Sequence, residues 1–395
     1  MSRHLVFLAP LSAMRKRTRL AKMARYLEDR GIGVRFLGWE REKGELARLV
    51  WGGVLVEERS ILRGGGYASR KARLMYPLWM AVVFLRCLAL RRGTVVWCLG
   101  WETAFPARIA AALRGLDIVF DDADRFSMLI RLPGPLQRAL VRLERWTSRQ
   151  CKLHLVPGWS RYEWRHEHMV LLRNSPLRAD YEHAQAVTRH QPGTEITLYV
   201  NGWIAWDTGS RIVLKALDIL AERDVPCRLI VAGRVTSNDG EALIARPEAD
   251  FRGELPQRSA LELYRVCDLA LTLYDPSVAI NRHAESNKWG DCVFLETPFV
   301  VNSEVETATK FVAGGAALSF PYNDSAALAD IVEKVAKDPH ILGRVRENLR
   351  GFQAEYQPFE DQLDEIVMGT LGFANAVTRC GSSIFTRARK RSELQ

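Results

Sequence analysis

A short polar segment near residue 287 carries side chains suited to binding a nucleotide. Ser286 and Asn287 favour the start of a helix, where the backbone amides bind anions well. Lys288 would add a positive charge beside a phosphate. Asp291 follows three residues later on the same helix face, where its carboxylate can accept two hydrogen bonds from a sugar diol. Phosphate plus ribose describes a nucleotide, and a capped, solvated helix start is the plainer alternative.

Three carboxylates follow a short apolar run in the first half of the chain. Asp121, Asp122 and Asp124 come directly after the run that ends at Phe120. Neighbouring like charges raise one another's pKa, which suits a proton acceptor for an attacking hydroxyl. The sequence does not decide which of the three takes the proton. A solvated turn, with Asp124 as a helix cap, is the alternative.

The loop of residues 10–19 is strongly basic. It contains Arg15, Arg17 and Arg19 but no G-x-G-x-x-G pattern, so nucleotide binding in this half is disfavoured. Positive charge at the start of a helix is mildly unfavourable, which favours an anionic partner such as a diphosphate. A solvated helix start is the alternative.

These residues must be positioned by the elements around them, which alternate between short apolar runs and helical patterns. Such alternation predicts an α/β protein with mostly parallel sheets. The predicted strands are 4–9, 33–38, 94–99, 117–121 and 152–156, then 195–201, 227–233, 268–274, 297–301 and 316–320. The predicted helices are 16–29, 71–92, 103–114 and 134–150, then 209–223, 258–266, 286–294, 324–337, 339–355 and 358–372.

The polar, weakly periodic stretch after residue 175 suggests a division into two doubly wound domains. Two such domains in tandem would leave a cleft between their strand ends, where the ligands of these sheets bind. We predict a first domain at 1–175, a linker at 176–194, a second domain at 195–357, a helix at 358–375 that returns to the first domain, and a basic tail at 376–395.

Several motifs together resemble the GT-B glycosyltransferases, in particular the retaining, family-4-like (group 1) branch that builds bacterial surface polysaccharides. The Asn-Lys-x-x-Asp pattern at 287–291, followed by Glu-Thr-Pro-Phe-Val-Val at 296–301, is similar to that family's donor helix and the strand after it. Weaker similarities lie at 170–176, 198–202, 229–234 and 251–268. The resemblance covers nearly the whole chain and implies two tandem Rossmann-like domains with an interdomain cleft.

The resemblance also implies roles for single residues. Lys288 would meet the donor diphosphate, Asp291 would hold the ribose, and Gly202 would let the backbone approach the phosphate or the reacting centre. Arg234 would be a second phosphate contact. Within the acidic run, the resemblance aligns Asp121 and Asp124 with an acid-bearing loop of the relatives.

The sequence departs from this family at two places. Where relatives often carry an Arg and a Lys after the first glycine of the donor domain, this chain has Trp203 and Thr208, so Arg234 or Arg282 would have to replace the missing cations. Where relatives carry the first of two paired acids, this chain has His283. The residue facing the donor sugar is therefore either His283 or Glu285.

Composition and charge limit the functional class. The 395 residues are 48% hydrophobic and 26% charged, which excludes wholesale disorder and a coiled-coil rod. The net charge of +10 divides into about +17 for residues 1–180 and −11 for 181–375. A basic half could meet nucleic acid, an anionic membrane or a phosphorylated substrate.

Further features favour a cytoplasmic, membrane-associated protein. The seven cysteines are scattered without a C-x-x-C pair, so we expect reduced thiols and no zinc site, and the N-terminus does not resemble a signal peptide. The apolar stretch at 74–90 is shorter than a membrane span and favours a buried helix or, as the alternative, an interfacial one. We expect peripheral attachment to the inner face of the cell membrane.

The sequence therefore predicts a glycosyltransferase that moves a sugar from a nucleotide-diphosphate sugar to a lipid-linked or other membrane-bound glycan in polysaccharide synthesis. The basic loop with Arg15, Arg17 and Arg19 would hold the diphosphate of a lipid-linked acceptor.

 We expect retention of configuration at the anomeric carbon and no cofactor. We expect no metal, since no D-x-D motif stands on an isolated loop, and no nucleic-acid partner, since no recognisable nucleic-acid-binding motif is present. The alternatives are a nucleotide-sugar 2-epimerase of the same fold and an inactive glycosyltransferase-like partner protein.

Overall fold

The computed structural model describes residues 4–42, 56–66 and 70–373, and the basic tail predicted at 376–395 lies outside them. The chain divides into two compact units. The first unit runs to Leu172 and resumes at Glu360, and the second unit is Arg173–Phe359. The second unit is thus inserted into the chain of the first.

The first unit is built on a sheet of seven parallel strands in the order β3-β2-β1-β4-β5-β6-β7. Its strands are β1 (Leu5–Ala9), β2 (Val34–Glu40), β3 (Val56–Arg63), β4 (Val95–Leu99), β5 (Asp117–Asp121), β6 (Leu153–Val156) and β7 (Met169–Leu171). Since β1, β4 and β5 are neighbours and parallel, the loops after residues 9, 99 and 121 meet at one edge of the sheet.

The described residues of the first stretch of this unit form five α-helices: α1 (Thr18–Asp29), α2 (Arg70–Leu88), α3 (Trp101–Arg114), α4 (Phe126–Leu129) and α5 (Gly134–Gln150). Helices α2, α3 and α5 share one apolar cluster with the sheet, in which Trp39 stacks on Trp79 with ring centres 6.0 Å apart. Burial of such large aromatic side chains supplies much of the stability of a core.

The second unit is built on six parallel strands in the order β10-β9-β8-β11-β12-β13. They are β8 (Ile196–Ile204), β9 (Cys227–Val235), β10 (Ala249–Phe251), β11 (Leu269–Thr272), β12 (Phe299–Asn302) and β13 (Leu318–Phe320). The helices are α6 (Arg178–Gln185), α7 (Ser210–Glu222), α8 (Asn238–Ile244), α9 (Gln257–Arg265), α10 (Asn287–Leu295), α11 (Thr309–Ala313), α12 (Ser325–Lys337), α13 (His340–Arg350) and α14 (Gln353–Tyr356).

The last described helix returns the chain to the first unit. Helix α15 (Phe359–Asp364) ends in the residue that ties it to α1 and continues as a π-helical turn, Glu365–Thr370. Asp364 accepts hydrogen bonds of 2.7 Å from the Tyr26 hydroxyl and from Nε of Arg30.

Two parallel α/β sheets confirm the predicted fold class, and the differences lie at its edges. The three strands that the sequence did not predict, β3, β7 and β10, are all edge strands. An edge strand is paired on one side only and often carries charge, so its apolar pattern is weak. Inside the predicted linker, 178–185 forms helix α6, whose Tyr181 stacks on Phe294 of α10.

Within the described residues, no helix is long and apolar enough to cross a membrane.

Candidate functional site

Two glycines bring the carboxyl ends of β8 and β9 unusually close together. Gly202 pairs with Gly233 across the two strands, and both have positive φ angles, +91° and +145°. A Cβ atom on Gly233 would lie 1.9 Å from the carbonyl oxygen of Gly202. A side chain at residue 233 is therefore excluded, and the strand ends offer bare backbone at the edge of the sheet where α/β proteins bind ligands.

The start of helix α10 is fixed by its cap. The Oγ atom of Ser286 accepts a hydrogen bond of 3.2 Å from the backbone N–H of Lys288 and one of 2.6 Å from the Tyr274 hydroxyl. The Oδ1 atom of Asn287 is buried without a hydrogen-bond partner in the described part of the chain. A buried acceptor without a donor is costly, which is typical of a position that a ligand completes.

Lys288 projects from the start of α10 toward the strand-end glycines. Its Cε atom lies 3.9 Å from the position that a Cβ atom on Gly202 would take. Burial lowers the pKa of Lys288 to about 8, although the neighbouring Cys292 and Asp291 oppose the shift. No carboxylate of the described residues forms an ion pair with it. A half-buried cation at a helix N-terminus is a good counter-charge for a phosphate.

Asp291 lies one turn further along α10 and is buried. Helix α10 packs closely here on the backbone at Asn174: a Cβ atom on Gly290 would lie only 2.3 Å from the carbonyl oxygen of Asn174. Asn174 also donates a hydrogen bond of 3.1 Å to the carbonyl oxygen of Glu285. Contacts on both sides of the cap therefore hold the start of α10 in place.

Arg234 follows Gly233 directly, in the strand position that pairs with Trp203. Its guanidinium carbon lies 5.8 Å from the centre of the Trp203 ring, within the range of a cation–π contact. Arg282 instead donates a hydrogen bond of 3.1 Å from Nε to the carbonyl oxygen of Pro276. Of the two arginines predicted to replace the missing cations, Arg234 is the one beside the paired glycines.

Thr208 has a local role in the turn after β8. Its hydroxyl donates a hydrogen bond of 2.8 Å to the carbonyl oxygen of Trp203 and accepts one of 3.0 Å from the backbone N–H of Ala205. Thr208, which stands where the GT-B proteins that the sequence resembles often have a lysine, thus stabilises the turn.

His283 and Glu285, the two candidates for the sugar-facing position, contact different groups. The Nδ1 atom of His283 lies 3.4 Å from Oε2 of Glu306. The carboxylate of Glu285 is close enough to Tyr356 to raise its pKa, after the larger effect of burial. Both residues precede the cap of α10, so the sequence expectation remains open between them.

In the first unit, Asp121 is held by one of the predicted basic residues. Nε of Arg19 donates to its two carboxylate oxygens at 3.0 and 3.2 Å, and the indole N–H of Trp97 donates to Oδ2 at 3.1 Å. Asp121 and Arg19 are both almost completely buried. A pair so enclosed joins β5 to α1 and stabilises the fold around the strand end.

Asp124 forms a second ion pair with the basic loop. Arg17 donates to it at short range, and Nη1 of Arg161 lies 3.5 Å from its Oδ1 atom. Burial alone would raise the pKa of Asp124, but the two arginines outweigh burial and lower it. Arg15 remains exposed. The structure therefore brings Arg17 and Arg19 together with Asp124 and Asp121.

Asp122 belongs to a buried hydrogen-bonded chain that sequence reasoning did not find. Its Oδ2 atom accepts a hydrogen bond of 2.8 Å from Tyr162 and lies 3.6 Å from Nε2 of His154. The Oγ atom of Ser148 is hydrogen-bonded to Nδ1 of His154 at 2.7 Å and to Nε2 of His166 at 2.7 Å. Such a network fixes the orientation of Asp122.

Glu102 is a second group that the sequence analysis missed. It lies in the first turn of α3, two residues after the strand-end Gly100. Burial, followed by the charge of Asp122, raises its pKa to about 7. A carboxylic acid that titrates near neutral pH is a candidate proton acceptor. The only signal in the sequence is an acid two residues after a glycine at the end of a strand.

Among the residues that the structure describes, no group of three or more His, Cys, Asp or Glu side chains could hold a metal ion.

Solved structures share this architecture over nearly the full length of the chain. The trehalose 6-phosphate synthase of Burkholderia multivorans has 12% identity and a TM-score of 0.63, and the alignment covers 94% of this chain and 98% of that one. HepE of Anabaena, solved in complex with UDP and glucose, has 12% identity, a TM-score of 0.62, and coverages of 92% and 98%. The sucrose-phosphate synthase of Thermosynechococcus elongatus has 11% identity, a TM-score of 0.64, and coverages of 92% and 98%.

No protein-family model and no curated protein sequence matches the chain. The structural likenesses, all at low identity, show the fold: two Rossmann-like units in tandem, as in the GT-B proteins that the sequence motifs resemble.

Proposed function

We propose that this protein is a glycosyltransferase whose second unit binds a nucleoside diphosphate sugar. The observation that carries the proposal is Lys288, a half-buried cation without a carboxylate partner in the described chain, at a capped helix start beside bare glycine backbone. The likeness to HepE, whose structure contains UDP and glucose, supports a donor of this kind.

The proposed chemistry at this site is electrostatic. The bond between the anomeric carbon and the donor diphosphate breaks, and its electrons leave with the diphosphate. Lys288 and the amides at the start of α10 would neutralise that charge, and Arg234 on its Trp203 platform would add a second cation. Asp291 would hold the ribose diol. The acceptor hydroxyl forms the new bond and gives its proton to a base.

The first unit supplies the proposed acceptor side. Asp121 and Asp124 are already bound to arginines, so Glu102 joins Asp122 as a candidate for the base. The basic character of this half supports a lipid-linked or other membrane-bound glycan as the acceptor. We propose a retaining, family-4-like enzyme of surface-polysaccharide synthesis that needs no metal and attaches peripherally to the inner membrane face.

Calorimetric titration with uridine and guanosine nucleotides tests the donor site. We expect one diphosphate to bind and its monophosphate to bind at least tenfold more weakly, because a charged contact is lost. Lys288→Ala should abolish that preference for the diphosphate. Lys215→Ala changes an exposed lysine of α7 and should leave it unaltered. Equal affinity of the unaltered protein for the nucleoside diphosphate and its monophosphate would contradict the proposal.

Product analysis then separates transfer from epimerisation. With labelled nucleotide sugar and membrane lipid extract, a transferase places the label in the lipid fraction and releases nucleoside diphosphate. With nucleotide sugar alone, a 2-epimerase returns an epimerised nucleotide sugar. Epimerised donor without any transfer would replace the proposed function with the alternative, and nucleotide binding without either product would indicate an inactive partner protein.

A further inference from the structure

The helices on one face of the first unit expose an unusual number of large apolar side chains. Of the thirteen large hydrophobic residues exposed in the described chain, ten lie on or between helices α2 and α5. We call the outer surface of α2, α3 and α5 the apolar–basic face. Contiguous apolar surface of this kind marks an interaction site in a soluble protein.

Helix α2 is apolar on its outer side as well as on its inner side. Leu74, Leu78 and Leu85 are 74%, 50% and 63% exposed, and their spacing of four and seven residues places them along one side of the helix. Trp79 and Val83, on the opposite side, are fully buried in the core. The outer row therefore has no role in the core of this unit.

The apolar surface continues across α3 to α5. On α5, Leu136, Leu143 and Trp146 are 57%, 40% and 41% exposed. The ring of Trp146 contacts Phe105 of α3, with centres 5.9 Å apart. The ring of Phe126 contacts both Tyr76 of α2 and an aromatic ring of α3, so α2 lies beside α3. The helices thus form one continuous surface.

The exposed charges on this surface are positive. Arg138, Arg142, Arg145 and Arg149 of α5 are exposed and form no ion pair within the described chain. The acid of α5, Glu144, is buried and bound to Arg125 and Ser127. The acid of α3 is the buried Glu102, and the sequence of α2 contains none. The face therefore combines leucine, tryptophan and arginine without an exposed acid on these helices.

We propose that the apolar–basic face docks on an anionic lipid surface. Leucine and tryptophan side chains would enter the boundary between head groups and acyl chains, while the arginines would contact lipid phosphates. Charge complementarity selects this occupant: nucleic acid would leave the leucine row unused, and a second copy would bring arginines against arginines. This inference rests on the proposed function and extends it, because it assigns the surface through which the protein would attach to the membrane that carries the acceptor.

Vesicle co-sedimentation of the full chain tests the proposal. We expect binding to vesicles containing phosphatidylglycerol and at least tenfold weaker binding to phosphatidylcholine alone. The triple variant Arg138→Gln, Arg142→Gln, Arg145→Gln should lose about fivefold per arginine at low salt. The triple variant Leu74→Ser, Leu78→Ser, Leu85→Ser should lose binding that salt cannot remove.

A matched control changes the second unit instead: Phe251→Ser with Lys215→Gln and Lys334→Gln removes one exposed aromatic ring and two exposed cations. It should bind vesicles like the unaltered protein. Equal losses in this control, or no preference for anionic lipid, would overturn the proposal. A dimer in sedimentation velocity that the leucine variant abolishes would assign the face to a second copy.

Calorimetry with nucleoside diphosphate on the same variants separates this inference from the proposed function. Unchanged nucleotide binding with lost vesicle binding supports the face. If the protein binds vesicles but no nucleotide, the result would support the apolar–basic face as the docking surface and contradict only the proposed donor site. Thermal unfolding of each variant checks that the fold is retained.

Discussion

Replacing Lys288 with methionine should stabilise the ligand-free protein and weaken its binding of a nucleoside diphosphate. Burial lowers the pKa of Lys288 from 10.5 to about 8. A shift of this size corresponds to about 3 kcal/mol, and since the side chain keeps some access to solvent, we expect roughly 1–2 kcal/mol as added stability. Methionine keeps the length of the side chain without the charge.

The effect should depend on pH with a definite sign. Below pH 8 the lysine is charged in both the folded and the unfolded protein, so the folded state bears the full cost of burying the charge. Between about 8 and 10.5 the folded protein loses this proton first, so the stability of the unaltered protein rises with pH and the advantage of methionine disappears. A bound diphosphate favours the charged lysine, so its affinity should fall above about pH 8.

Thermal unfolding with and without nucleoside diphosphate measures both effects. For a domain of this size, each kcal/mol corresponds to about 2–4 °C in Tm. The matched change Lys215→Met, at an exposed lysine of α7, should alter neither Tm nor the shift produced by nucleotide. A Lys288→Met protein that is less stable at pH 7, and keeps the full nucleotide shift, would refute the reasoning.

Three further predictions concern the strand ends. Gly233→Ala should lower the free energy of unfolding, measured in urea, by about 3 kcal/mol, because its Cβ would meet the carbonyl of Gly202. Gly343→Ala on α13, whose Cβ would meet nothing within 4 Å, should raise it by about 0.5–1 kcal/mol, and equal effects of the two changes would contradict the close approach. Between pH 4.5 and 7 the folded protein holds a proton on Glu102 that the unfolded chain releases, so the free energy of unfolding should fall by about 1.4 kcal/mol per pH unit. Glu102→Gln should remove this dependence, and an unchanged slope in unfolding experiments at several pH values would contradict the raised pKa. Trp203→Ala should weaken nucleoside diphosphate binding about fivefold in calorimetry by freeing Arg234, and Trp206→Ala, at a similarly exposed indole, should not.

The start of α10 could be predicted because its signals are local. Ser286 caps the helix, Lys288 follows within one turn, and the strand after the helix is a continuous apolar run. Each of these features depends on neighbours a few residues away. The sequence alone therefore predicts a helix start at this segment, and the structure has one at Asn287.

The first unit shows what local patterns cannot predict. Arg17 meets Asp124 across 107 residues, and Arg19 meets Asp121 across 102. The sequence showed a basic loop and an acidic run, and it suggested separate roles for them. Only the parallel pairing of β1, β4 and β5 brings the two segments to one edge, where their charges neutralise one another. The elevated pKa of Glu102 depends on the same long-range assembly.

The insertion of the second unit into the first has a consequence for the order in which the protein folds during synthesis. All seven strands of the first sheet have been made by residue 171, but Asp364, which ties Tyr26 and Arg30 to the last helix, comes only after the whole inserted unit. At ribosomal rates this delay is roughly 10–40 s. The nascent first unit must therefore wait, without its final clamp, while the second unit emerges and completes its own fold.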